Sequence, residues 1–175
     1  MTEITHIPYF SLEQFRNSLL DKYLEIYGED VVVQEKIHGS NVVIYARRIG
    51  GTWFFKLGSR RKWIGNNEKF NNFQTLFKNN ENDIREMFTY LVEKYDFNDA
   101  EVRIYGEIFG GKYGQESSKD SIKTQNEPNY GPNNDFAFFD IFIKDLHYGA
   151  EKIIHVPVMD AIAAFEKFNL KYPPI

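Results

Sequence analysis

Two apolar runs with a short polar stretch between them constrain this chain more than any other feature. Val31-Val32-Val33 leads toward Glu35-Lys36-Ile37-His38-Gly39-Ser40-Asn41, and Val42-Val43-Ile44-Tyr45 follows. β-Branched runs around a glycine-containing turn predict strand, turn, strand. Lys36 is therefore expected at the end of a buried strand. Burial disfavours the charged form of a lysine, and a neutral amine is a nucleophile where an ammonium is not. Gly39 permits a tight turn or a close backbone approach to a ligand. An isolated Lys-x-x-Gly is short and common, and suits a hairpin with a solvated lysine equally well.

Charge distribution gives this stretch a context. The net charge of −4 over 175 residues does not favour a polyanionic partner. From Lys36 to Asn67, however, there is no Asp or Glu, while Lys36, Arg47, Arg48, Lys56, Arg60, Arg61 and Lys62 are all basic. Such a local field suits phosphate; two basic strands with solvated faces would look the same. With 42% apolar and 26% charged residues the chain has a core to bury and a charged surface. No apolar run is long enough to span a bilayer, Met1 to His6 lacks a secretory pattern, and there is no cysteine. These features suit an intracellular protein with no membrane partner.

The element pattern is mixed. Ser11 and Gln14 form a capping box ahead of a helix ending near Gly28. Ile49-Gly50-Gly51-Thr52 turns a hairpin into a strand with Trp53, Phe54, Phe55 and Leu57. Phe73, Leu76 and Phe77 start a helical segment. Ile84, Met87, Phe88, Leu91, Val92 and Tyr95 continue as an amphipathic helix capped by Asn82 or Asp83. Val102 to Tyr113 reads as a strand running into glycines, and residues 114–134 as a long polar loop. Asp135 to Ile143 is a strand with an acid, Asp140, inside an apolar run, where it needs a partner. Tyr148-Gly149 turns into a short strand, Lys152 to Val156. Pro157 then opens a last helix with Ile162, Phe165 and Phe168 inward. His6, His147 and His155 lack metal-ligand spacing, and no metal ligand is assigned.

Three strings in this order resemble the RNA ligase 2 and RNA-editing ligase family of covalent nucleotidyltransferases. Glu35-Lys36-Ile37-His38-Gly39-Ser40-Asn41 matches its nucleotidyl-acceptor motif with Ser40 in place of threonine. Tyr105-Gly106-Glu107-Ile108-Phe109-Gly110-Gly111-Lys112-Tyr113 differs from the editing-ligase string at one position. Phe136-Ala137-Phe138-Phe139-Asp140-Ile141 resembles a third motif. Counting back from Glu68 and Phe70 aligns the family arginine with Arg60, with Arg61 the near alternative.

The resemblance implies an α+β fold, antiparallel sheets flanked by helices, in a nucleotidyltransferase (ATP-grasp-like ligase) domain. Residues 1–175 would be one incomplete domain, cut short at the C-terminal end. Lys36 would take AMP from ATP with Mg2+ and pass it to a 5′-phosphate RNA end, which a 3′-hydroxyl then seals. Glu35 and Phe139 would hold adenine, with Asp140 beside them in the pocket floor. Glu107 and Arg60 would hold ribose and phosphates, while His38, Gly39 and Asn41 shape the motif or reach the sugar. Phe136 and Phe138 are expected in the core. A DNA ligase or capping-type enzyme uses the same lysine but usually carries an acid in place of His38. A nucleotide- or RNA-binding relic is the other alternative. Nothing after Asp140 matches the family's metal-binding Glu-Gly strand or its Lys-x-Lys strand, so a second polypeptide is an expected source of them.

Overall fold

The computed structural model describes residues 6–9, 25, 32–66, 68–113, 116–146 and 152–175. The expected N-terminal helix, Val31 and the Tyr148-Gly149 turn lie outside the described residues. β1 (Ser40–Ile49) and β2 (Thr52–Ser59) form the expected hairpin. It turns at Gly50 and Gly51 with φ of 53° and 80°, values that suit glycine. α1 (Phe73–Lys94) then crosses to β3 (Ala100–Gly110), followed by β4 (Asn134–Asp145), β5 (Ile153–His155) and α2 (Val158–Lys167). The sheet order is β2-β1-β3-β4-β5, and every pairing is antiparallel. The α+β architecture read from the sequence is thus the one observed.

Alternation along the strands divides the sheet into two faces. Val42, Ile44 and Ala46 of β1, Val102, Ile104 and Ile108 of β3, and Phe136, Phe138, Ile141 and Ile143 of β4 belong to one core. Phe73, Ile84, Met87, Phe88, Leu91 and Val92 of α1 join that core, as do Ala161, Ala164 and Phe165 of α2. Burying these side chains is the main force holding helices to sheet. The other face carries Asn41, Val43 and Tyr45 of β1 and Tyr105 and Glu107 of β3, which pair in register across the two strands. Functional side chains can therefore occupy that face without disturbing the helix-covered core.

Two expectations need correction. Val32 and Val33 are exposed and residues 32–38 form no strand; β1 begins at Ser40, within the last two residues of the motif, and no strand precedes it in that segment. Valine runs favour strands only where a neighbouring strand pairs with them, and this segment instead bonds to the end of the chain, Glu35 N–H donating to Pro174 O at 2.9 Å. Asn82 and Asp83 are not caps, because α1 runs unbroken from Phe73 with Asn72 as its N-cap residue. Packing of Phe73, Leu76 and Phe77 against the core carries the helix through that local cap signal.

β4 contains one irregularity that decides the site. Tyr105 pairs with Asp140 and the next residue, Gly106, pairs with Phe138, so Phe139 is an extra residue. A bulge of this kind places two residues of one strand against one of its partner. Phe138 and Ile141 both stay in the core, and Phe139 and Asp140 both turn to the opposite face. Gly106 makes the bulge possible, since a Cβ there would lie 2.6 Å from Ala137 O and 2.7 Å from the Phe138 ring. Gly106→Ala should lower stability by about 1–3 kcal/mol through overpacking. Gly65→Ala meets nothing closer than 3.9 Å and should stay within about 0.5 kcal/mol of wild type. Urea unfolding of the two variants measures the contrast, and equal midpoints would contradict the packing argument.

Candidate functional site

A cleft of about 1170 Å³ opens on the sheet face away from the helices. Its walls include Glu35, Lys36, His38, Gly39 and Asn41 from the motif, Arg60 and Arg61 just past β2, Glu107 from β3 and Phe139 from β4. Strand register explains the convergence. Asn41 pairs with Glu107, and Val42 pairs with Ser59, so Arg60, Asn41 and Glu107 fall into one row across three neighbouring strands. The β4 bulge adds the Phe139 ring beside that row. Residues far apart in sequence thus meet because three strand ends stop at the same rim.

Lys36 is exposed rather than buried, which corrects the expectation of a desolvated lysine at a strand end. Its backbone lies in the irregular segment before β1, so its side chain reaches over the cleft from the rim. Gly39 is needed for close approach, but to protein: a Cβ there would stand 2.0 Å from Ile108 O of β3. The motif backbone is therefore pressed against the third strand beside Glu107.

Glu101 and Glu107 lie on the same face of β3, and their surroundings set them apart. Burial pushes Glu101 up, but the nearby Tyr45 hydroxyl and the guanidiniums of Arg103 and Arg47 outweigh it and hold its carboxyl below the usual range. Arg47 lies 3.4 Å from Glu101 and Arg103 bonds the other oxygen. Burial pushes Glu107 up as well, and here the Asn41 side chain, the Gly39 N–H and the charges of Lys36 and Arg60 do not cancel it. Glu101 is a satisfied structural acid, whereas Glu107 is a half-buried acid facing a cleft, the setting in which perturbed carboxylates serve ligands. The charge of Arg60 acts on Glu107, and Arg61 lines the same cleft.

Asp140 is 7% exposed and sits beneath the cleft. It accepts a hydrogen bond from Tyr9 Oη at 3.0 Å and contacts His155 Nε2. His155 stacks flat on Phe142 with ring centroids 4.5 Å apart. Burial raises Asp140 above the usual carboxylate range despite these partners. Tyr9 in turn lines the cleft, its ring 5.1 Å from that of Phe139 at 71°. Phe136 and Phe138 are in the core, as expected.

The basic stretch divides once folded. Lys36, Arg60, Arg61 and Lys62 reach the cleft, Arg47 is spent on Glu101, and Lys56 lies over the Trp63 ring at 5.1 Å. Lys62 pairs with Glu68 at 2.9 Å on the rim. Sequence reasoning did not find Tyr9, Gln125 or Tyr130. Tyr9 is recognisable only through a partner 131 residues away. Gln125 and Tyr130 lie in the long polar loop, where no individual side chain was singled out, yet they bond the motif backbone.

Among the described residues, no group of three or more His, Asp or Glu could hold a metal ion by itself, and no helix is long and apolar enough to cross a membrane. A cleft with an aromatic wall, cations at its rim and a ligand-facing carboxylate suits an aromatic base joined to a sugar and phosphates.

The comparisons with known proteins agree with this architecture. Mitochondrial RNA-editing ligase 2 of Trypanosoma brucei brucei is 27% identical over 189 residues, covering 86% of this chain and 45% of that protein. A solved structure of a Naegleria gruberi RNA ligase mutant with ATP and Mn is similar in fold, with a TM-score of 0.51 at 16% identity over 81% of this chain and 34% of its own. The chain thus spans less than half the length of either protein. The RNA ligase family model matches residues 16–175, and the chain belongs to the RNA ligase family.

Proposed function

We propose that this chain is the lysine-bearing part of an ATP-dependent RNA ligase and that Lys36 becomes covalently adenylylated. The observation that carries this reading is the meeting of Lys36, Arg60, Glu107 and Phe139 in one cleft. In the proposed step the Lys36 amine, having released its proton to solvent, attacks the α-phosphorus of ATP. An N–P bond forms, the bond to the bridging oxygen breaks, and pyrophosphate leaves with that electron pair. An oxygen of a 5′-phosphate RNA end then attacks the AMP phosphorus, forming a P–O–P bond as the N–P bond breaks and the Lys36 amine leaves and regains a proton. A 3′-hydroxyl, losing its proton to solvent, finally attacks the RNA phosphorus as AMP departs. Phosphoryl transfer of this kind rests on positioning and charge stabilisation. Phe139 would stack on the base beside Glu35. Glu107 would accept the ribose hydroxyls, with Asn41 and His38 near the sugar and Arg60 on the phosphates.

Magnesium in such sites is held by substrate phosphates and one or two carboxylates; with Glu35 and Glu107 engaged on the nucleoside, the ion would be held by the phosphates and by an acid outside these residues. When bound, the ion offsets phosphate charge. The exposure of Lys36 means that its desolvation has to come from bound nucleotide or from groups outside these residues. The further metal-binding acid and paired lysines, supplied by a second polypeptide or another part of a longer chain, belong to this proposal.

Incubation with ATP and magnesium should produce an AMP adduct by intact mass, and Lys36→Ala should abolish it. An adduct that survives Lys36→Ala, or labelling by GTP in preference to ATP, would defeat this reading. Nicked RNA added to the same reaction should be joined poorly by the chain alone.

Phe139→Ala should weaken ATP binding by about 1–3 kcal/mol, the usual range for base–aromatic stacking. Phe136→Ala should instead lower stability, since Phe136 is 2% exposed in the core. Calorimetric titration with ATP alongside unfolding curves separates the two effects, and unchanged affinity in folded Phe139→Ala would exclude the stacking role.

Glu107 gives a pH signature. Its raised value means that the folded state holds its proton more tightly than the unfolded chain does. The ionised form therefore costs stability above the folded value. That cost fades as pH falls toward the ordinary value of 4.5. Glu107→Gln should unfold at higher urea than wild type at pH 7, lose that advantage as the medium is acidified, and bind ATP less well. Equal stability of the two proteins at neutral pH would contradict the assignment of burial as the dominant cause.

A further inference from the structure

The connection between β3 and β4 is tied down at its root and reaches back to the nucleophile segment. Asn134, buried at the start of β4, donates from Nδ2 to Ile122 O at 2.6 Å and to Gly110 O at 3.2 Å. Its Oδ1 accepts from Ile122 N–H at 2.7 Å. Backbone bonds from Gly111 N–H to Gly131 O and from Lys112 N–H to Pro132 O close the other side. A polar segment pinned in this way behaves as a strap, not as a solvated excursion.

Two side chains of the strap end on the motif backbone. Tyr130 Oη accepts from the His38 N–H at 3.0 Å, and Gln125 Nε2 donates to Gly39 O at 2.8 Å. The Tyr130 ring is seated edge-on against Phe109 of β3, centroids 5.3 Å apart. The bonded groups lie two and three residues after Lys36, just before β1 begins. One bond fixes a donor and the other an acceptor on either side of one short piece of backbone, which sets the direction in which the chain leaves Lys36.

We infer that Tyr130 and Gln125 are positioning residues for Lys36, clamping the 38–39 backbone so that the amine faces the α-phosphorus of a nucleotide in the cleft. The inference rests on the lysine adenylylation proposed above. Neither side chain lines the cleft, so their loss should act on rate and not on affinity. Misplacing a reacting group by as little as about 1 Å can cost on the order of a hundredfold in rate.

The test compares wild type with Tyr130→Phe, which keeps the ring on Phe109 and removes the acceptor, and with Gln125→Leu, which removes the donor. The measurements are the first-order rate of AMP-adduct formation at saturating ATP and magnesium, the dissociation constant for ATP by calorimetry, and amide exchange over residues 36–42 by mass spectrometry. Each variant is expected to form the adduct about tenfold or more slowly, bind ATP within about twofold of wild type, and exchange faster over that peptide. Wild-type adduct rates in both variants overturn the inference while leaving Lys36 adenylylation standing. A parallel loss of ATP affinity also overturns it, because the strap would then shape the nucleotide site itself. Absence of an adduct in wild type overturns both proposals.

Discussion

One extra residue in β4 governs which side chains meet across the sheet. If β4 alternated without interruption, Phe138 and Asp140 would share a face and Ile141 would leave the core. The bulge at Phe139 lets Phe138 and Ile141 both pack under the helices while Phe139 and Asp140 turn to the cleft side. The aromatic wall, the buried acid below it and the Tyr9 ring that the acid holds all follow from that single offset. Gly106 opposite it has no side chain because Phe138 and the Ala137 carbonyl occupy the space. A glycine beside a functional acid therefore has a packing reason independent of any ligand.

The strand pattern was legible in the sequence wherever alternation and glycine turns coincide, as in the Ile49–Thr52 hairpin and the strands through Tyr105 and Phe138. The same rules misplaced the segment before the motif. Val32 and Val33 have the composition of a strand but pair with no strand among the described residues, and a hydrogen bond from Glu35 to Pro174 helps to hold the segment that follows them. Local propensity carries no information about such a contact. The membership of the cleft was largely readable, since Glu35, Lys36, His38, Gly39, Asn41, Arg60, Glu107 and Phe139 all line it. Asp140 supports it from beneath through Tyr9. Gln125 and Tyr130 were missed because composition describes how a loop meets water, not what its individual side chains reach.

The two acids of β3 illustrate how one strand separates structure from chemistry. Glu101 has two arginines and a tyrosine around it, and its charge is settled within the protein. Glu107 has an amide, a backbone N–H and two more distant cations, which do not repay its burial. Natural proteins keep such imperfectly compensated groups where function requires them, at a cost in stability. The difference lies in neighbours contributed by β1 and by the segment past β2, so neither acid could have been told from the other by its own place in the strand.

The segment that carries Lys36 depends on parts of the chain that arrive late in synthesis. Gln125 and Tyr130 lie 86 and 92 residues beyond their partners, and Pro174 lies further still from Glu35. The β1–β2 hairpin closes over a two-residue turn, whereas these bonds require long loops to be ordered first, an entropic cost that local contacts avoid. Contacts of this non-local kind can open while the sheet behind them stays intact. Order in the reactive segment thus reports docking of these later elements, and a nascent chain bearing the whole motif would still hold its lysine on loose backbone until Gln125, Tyr130 and Pro174 reach it.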